Sequence, residues 1–164
     1  MHSASRSSLD CYLARDVLFL QDSTGSQEPY IDKARTEIRT ICTHLTQQGN
    51  FAPGGLRFGV VAFREHPPLD STFVTKVLTP LPGSSPEKVT FVADVGIVEN
   101  VLNTLSAAGG GGDGPEASTD ALQLCLTAEW KDGASRVAIL ITDAPPHGLG
   151  ENRDGFPNGC PLRE

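Results

Sequence analysis

Val17-Leu18-Phe19-Leu20-Gln21-Asp22-Ser23-Thr24-Gly25-Ser26 is the stretch on which the fold turns. Four consecutive apolar residues, Val17 to Leu20, read as a buried parallel strand. Asp22, Thr24 and Ser26 follow at i, i+2 and i+4, so a carboxylate and two hydroxyls stand at the strand's carboxyl end. In open α/β sheets ligands bind just beyond the carboxyl ends of strands. Carboxylate and hydroxyl oxygens are hard donors, suited to Mg²⁺ or Mn²⁺ rather than zinc. The same residues also spell a polar turn, with Gly25 for backbone freedom and Ser26 as a helix cap.

Two further segments bear on that choice. Gly112-Asp113-Gly114-Pro115-Glu116 opens a helical stretch, and Thr142-Asp143-Ala144-Pro145-Pro146-His147 closes a second apolar run, Val137 to Ile141. Together, Asp22/Thr24/Ser26, Asp-x-Pro-Glu and Thr-Asp-Ala resemble the metal-ion-dependent adhesion site of the von Willebrand factor A (vWA) domain family. The Asp113 to Glu116 form is similar to the inserted domain of integrin β subunits, where Glu replaces the Thr of many relatives. The Asp143 to His147 phrase resembles intracellular vWA proteins such as those fused to atypical α-kinases. Any one of the three motifs is weak alone; three separated loops in this order are specific.

The resemblance spans residues 16–150. It implies an α/β fold: a Rossmann-like, doubly wound, mostly parallel sheet with one antiparallel edge strand. It also implies that Thr24, Ser26 and Glu116 coordinate Mg²⁺ or Mn²⁺ directly, with Asp22 and Asp143 direct or through water. One coordination position would remain for a Glu or Asp of a protein partner. Asp22, Glu116 and Asp143 placed together would repel strongly unless a cation sat among them. Glu116 in place of Thr adds a negative charge, so the metal should bind more tightly and attract a ligand carboxylate less. The implied function is a non-enzymatic, divalent-cation-dependent protein-binding module.

Composition sets outer bounds. At 164 residues, 38% apolar and 20% charged, the chain has the length of one globular domain. A net charge of −7 argues against nucleic acid or anionic membrane as the main partner and favours a cation or a basic surface. No run approaches the roughly 18 apolar residues of a membrane span. Met1 to Asp10 are polar and Ser-rich without an apolar signal core, which predicts a cytoplasmic address. Cys11, Cys42, Cys125 and Cys160 form no Cys-x-x-Cys pair; Cys42 and Cys125 fall in apolar periodicity as core thiols, and Cys160 lies in a more exposed tail.

Ile31, Ala34, Ile38, Ile41, Cys42 and Leu45 share one helical face, with Glu28-Pro29 suited to its first turn and Gly49 to its end. Leu56 to Phe63 reads as a second strand, and Phe73 to Thr79 alternates with period two as a half-exposed edge strand. A short turn begins at Ser85-Pro86. Val95 to Leu105 and Ala117 to Trp130 read as helices. Gly109 to Gly112 reads either as a flexible linker or as backbone approaching the metal loops closely. Asp113 reads as a cap for the helix after it, or as a helper to a second cation. His66 and His147 read as loop residues beside prolines, and Trp130 as a core or rim anchor.

An enzyme is the first rival. The strand ending in Asp22 resembles the nucleophile loop of haloacid-dehalogenase-type phosphatases, which hold Mg²⁺. Those loops carry a second Asp two residues on as the acid, and here Thr24 stands there. No Gly-x-Ser-x-Gly elbow or phosphate-binding Gly-Lys-Ser/Thr occurs. The second rival is a scaffold in which the metal only holds loops together.

The boundaries follow as a polar N-terminal extension at 1–15, the vWA-like domain at 16–150 and a loop or truncated remainder at 151–164. vWA domains continue past this point with further helices and two more strands. The expectation is therefore a C-terminally incomplete sheet in which the Val137 to Ile141 strand has an unpaired edge, open to self-association.

Overall fold

The computed structural model describes residues 13–79, 82–86, 88–110, 112–159 and 161. Its elements are β1 (Leu13–Asp22), α1 (Ile31–Gln48), β2 (Phe51–Phe63), β3 (Thr75–Val77), α2 (Val95–Thr104), α3 (Ser118–Thr127) and β4 (Ser135–Ile141). The strands make one sheet in the order β3-β2-β1-β4. β1 pairs in parallel with both β2 and β4, while β3 runs antiparallel on β2. This is the mixed, Rossmann-like α/β arrangement with one antiparallel strand.

Alternation along β1 sorts the core into two layers. Val17 and Phe19 pack with Ile31 and Ile38 of α1 and with Val98 and Leu102 of α2. Leu18 and Leu20 point the other way, toward Val61, Phe63 and Ala121 of α3. β1 is covered on both faces, so its uninterrupted apolar run is what its position requires. Each large side chain fully buried there contributes about 1.5–3 kcal/mol. Cys42 is part of the first layer, and burial pushes its thiol up to about 12; Cys125 is half-buried against the second layer.

β1 is longer than its apolar run, reaching back to Leu13. Asp16 tolerates complete burial because Arg57 holds both its oxygens, Nε at 2.8 Å and Nη2 at 2.7 Å, and the Lys131 N–H adds a third bond at 2.6 Å. β2 likewise begins at Phe51, after which the register against β1 shifts between Leu13 and Arg15. The edge strand is shorter than the Phe73 to Thr79 pattern, covering Thr75–Val77. Past it the Thr79 hydroxyl accepts from the Val60 N–H at 3.1 Å, and a side chain takes over the role of the ladder. α3 ends at Thr127 rather than Trp130. The indole N–H of Trp130 donates to the Cys125 carbonyl at 2.7 Å, and its ring lies 4.8 Å from Phe91.

Among the described residues β4 pairs with β1 alone and forms a sheet edge. Val137, Ile139 and Ile141 lean on the first layer, whereas Ala138 and Leu140 of the opposite face are exposed, Leu140 at 39%. No helix among the described residues is long and apolar enough to cross a membrane. The polar character of Met1 to Asp10 and the exposure of Cys160 concern residues outside those described.

Candidate metal centre

Asp22 ends β1 fully buried, and both its oxygens are held by hydroxyls. Oδ1 accepts from the Thr24 N–H at 2.9 Å and from Thr24 Oγ1 at 2.7 Å; Oδ2 accepts from Thr142 Oγ1 at 2.7 Å. A 3₁₀ turn, Gly25–Gln27, separates β1 from α1. α1 begins only at Ile31, so Ser26 does not cap it. Ser26 Oγ instead lies 3.2 Å from Thr24 Oγ1 and donates to Asp143 Oδ1 at 3.1 Å, and Gln27 Nε2 donates to the same oxygen at 2.6 Å.

The glycine run brings the second loop onto the first. The Gly25 N–H donates to the Gly109 carbonyl at 2.8 Å. Gly110 has φ +70°, and a Cβ there would stand 2.6 Å from Thr24 Cγ2, so side chains are excluded on both counts. The loop is thus a close-packed wall, not a linker. The Glu116 N–H donates to the Pro145 carbonyl at 3.0 Å, and the Ala117 N–H to the Arg64 carbonyl at 3.0 Å. These bonds join the second loop to the third and to the end of β2.

Glu116 is 4% exposed, and its Oε2 has no hydrogen-bond partner among the described residues. Burial, and then the negative charges of Asp22 and Glu65, push its carboxyl up to about 8, with Thr24 as a compensating hydrogen-bond neighbour. Hydrogen bonds thus join Asp22, Thr24, Ser26 and Asp143 at the carboxyl edge of the sheet, and Glu116 lies beside Thr24 and Asp22. Three carboxyl groups, one of them with an orphaned buried oxygen, and two hydroxyls are donors of the type that fits a hard divalent cation. When bound there, such an ion would supply the positive charge the cluster lacks.

A second cluster adjoins the first. Glu65, Asp113 and His147 offer ligand-type atoms within 4.8 Å of one another. His147 is a loop residue as its prolines require, yet its side chain is wholly buried. Its Nε2 bonds Glu65 Oε2 at 2.7 Å and its Nδ1 bonds Asp154 Oδ1 at 2.7 Å. Burial alone would depress the imidazole, but bonds to Asp154 and Glu65 outweigh it and hold the pKa above the ordinary value. As an imidazolium it donates from both nitrogens and supplies the cation that these carboxylates need.

Asp113 does not cap α3: the helix starts after Ala117 without a side-chain cap. Asp113 Oδ2 accepts from the Gly155 N–H at 2.7 Å, and Oδ1 is buried without a partner among the described residues. Asp154 also takes the N–H groups of Gly148 and Phe156, both at 2.8 Å, and Phe156 sets its ring edgewise against His147 and His66. His66 is buried too, 3.0 Å from Asp120 Oδ2. Residues 151–159 hold no helix or strand, yet they are clamped onto the site. The sequence does place Glu65 just past the second strand, at the sheet edge that carries Asp22 and Asp143. That position was the available pointer to this network.

No family model matches the chain. Over 148 residues it is 30% identical to alpha-protein kinase vwkA of Dictyostelium discoideum, covering 89% of this chain and 21% of that protein. The chain thus spans about a fifth of the length of the curated relative it matches. The three N-terminal domains of the type V pili tip protein Mfa5 from Porphyromonas gingivalis superpose with a TM-score of 0.54, at 14% identity, over 86% of this chain and 22% of that one. Proximal thread matrix protein 1 from the mussel byssus gives 0.52 at 16% identity, over 90% of this chain and 34% of that one. At such identities the two structures speak to the fold.

Proposed function

We propose that this chain is a vWA-type module that holds Mg²⁺ or Mn²⁺ at Asp22, Thr24, Ser26, Glu116 and Asp143 and uses the ion to bind an acidic residue of a protein partner. The observation that carries the proposal is Glu116 Oε2, buried beside Asp22 with no partner among the described residues. A buried carboxylate oxygen left unpaired costs folding free energy, and a divalent cation would remove that cost. The likeness to alpha-protein kinase vwkA supports a reading in which such a module accompanies an α-kinase. A partner's carboxylate completing the metal shell would make a directional contact stronger than an exposed ion pair.

Binding rather than catalysis is supported by the state of Asp22. Its Oδ1 and Oδ2 are both engaged by hydroxyls, and Thr24, where an acid would be needed, donates to Asp22 instead. Self-association through the open edge of β4 is proposed as a secondary property, supported by the exposure of Leu140.

Calorimetric titration with Mn²⁺, followed by a glutamate-containing peptide, tests the proposal. Mn²⁺ should bind at one site, and the peptide should bind only the Mn²⁺-loaded protein. Mn²⁺ binding that leaves peptide affinity unchanged would favour a purely structural metal.

A further inference from the structure

Beside the metal loops, between the end of β2, β3 and the last turn of α2, lies a cavity of about 250 Å³. Ser23, Arg64, Thr72, Phe73, Lys76 and Leu105 are among its walls. Its chemistry is opposite in sign to the rest of this acidic chain. The Arg64 guanidinium lies 4.7 Å over the Phe73 ring, and Lys76 Nζ is 5.8 Å from the same ring.

Arg64 is only partly satisfied. Its side chain is 9% exposed; Nη1 donates to Thr72 Oγ1 at 2.9 Å and lies 3.6 Å from Asp70 Oδ2. Its Nε is buried with no partner among the described residues. Asp70 is itself committed to the N–H groups of Thr72 at 2.7 Å and Gly110 at 2.9 Å. Among the described residues no carboxylate pairs with Lys76. The cavity therefore holds a surplus positive charge beside an apolar wall.

We propose that this cavity binds a small organic oxyanion, a carboxylate or phosphate on a short apolar stem. The oxygens meet Arg64 and Lys76, and the stem lies against Phe73 and Leu105. The volume is below the roughly 300–1,000 Å³ of pockets for drug-sized ligands, which limits the occupant to a few heavy atoms beyond the anionic group. None of the five proposed metal ligands takes part, so the site operates without a cation.

The test uses the whole chain in EDTA, which separates it from the metal proposal. Ethyl phosphate, propionate and inorganic phosphate are titrated while the ¹⁵N–¹H signal of Arg64 Nε is followed. Saturable shifts with ethyl phosphate or propionate are expected, and the tighter of the two names the anionic group. Inorganic phosphate should bind more weakly because it lacks the stem. Lys76→Gln changes an exposed side chain and should weaken binding at least tenfold with folding intact; Arg64→Lys, which keeps the charge but loses the planar guanidinium fork, should weaken it too. Absence of saturation in the folded protein, equal affinity for inorganic phosphate, or unchanged affinity in Lys76→Gln would overturn the proposal.

Discussion

Thr142 Oγ1 donates to Asp22 Oδ2 at 2.7 Å, joining the loop after β4 to the end of β1 across 120 residues of sequence. The bond orients a carboxylate that is itself completely buried. Thr142→Val keeps the shape of the side chain and leaves Asp22 Oδ2 unpaired. We expect a loss of about 1–3 kcal/mol of stability in EDTA. Metal affinity should fall about 10- to 100-fold, as it does when the group orienting a ligand is removed. Chemical denaturation and Mn²⁺ titration check the two effects.

Glu116→Gln should act with opposite signs in the two states. Without metal, burial and then Asp22 already hold Glu116 largely protonated at neutral pH, with a pKa of about 8, so the neutral Gln should match wild type in stability there and exceed it at higher pH. With Mg²⁺ or Mn²⁺ present it should gain much less than wild type, because a direct anionic ligand is gone. Paired melts in EDTA and in metal read both signs. A variant destabilised equally in the two conditions would contradict the assigned role.

The His147 network predicts a pH dependence of known direction. The folded imidazole has a raised pKa, so its stabilisation is complete below the unfolded value of about 6.5 and is lost as pH rises through the folded value. Glu65, raised first by burial, has the same sign; Asp154, whose bonds to Gly148, His147 and Phe156 outweigh its burial and lower it, acts only at acid pH. Asp113 is the remaining carboxylate facing the ring, 3.9 Å from Nδ1. Stability should therefore decline from pH 6 toward alkaline pH, and His147→Gln should flatten the decline. Denaturant midpoints across that range decide it; equal slopes in the two proteins would contradict the network.

Leu140 is 39% exposed on the edge strand β4. A charge on such an edge opposes strand pairing between molecules. Leu140→Lys should shift sedimentation toward the monomer at high protein concentration without lowering the melting temperature by more than a few degrees. Unchanged association would place any self-contact elsewhere.

Much of this arrangement was legible in the residue pattern, for physical reasons. An apolar run such as Val17 to Leu20 has few alternatives to a doubly covered strand, and the loops after β1 and β4 share the sheet's carboxyl edge by topology alone. The polar start of β1 was not legible, because Asp16 is buried only by virtue of Arg57, 41 residues away. The extent of β3 was hidden for a similar reason, since the Thr79 hydroxyl replaces a ladder bond. His147 is the loop residue its prolines imply, but its burial and its pairing with Glu65 and Asp154 were not legible, and Asp113 bonds the Gly155 N–H instead of capping α3; these partners lie in segments without periodicity. Long-range polar pairing leaves no local pattern, whereas apolar burial does.

The most direct test is thermal unfolding in EDTA and then in millimolar Mg²⁺ or Mn²⁺, with Asp143→Ala alongside. A cation bound only by the folded protein, at about a hundred times its dissociation constant, adds roughly 2.7 kcal/mol. For a domain of this size that corresponds to a rise of several degrees. The rise should be present in the wild type and absent in Asp143→Ala. A cooperative melt with the same midpoint in EDTA and in metal would contradict a cation site at Asp22, Thr24, Ser26, Glu116 and Asp143.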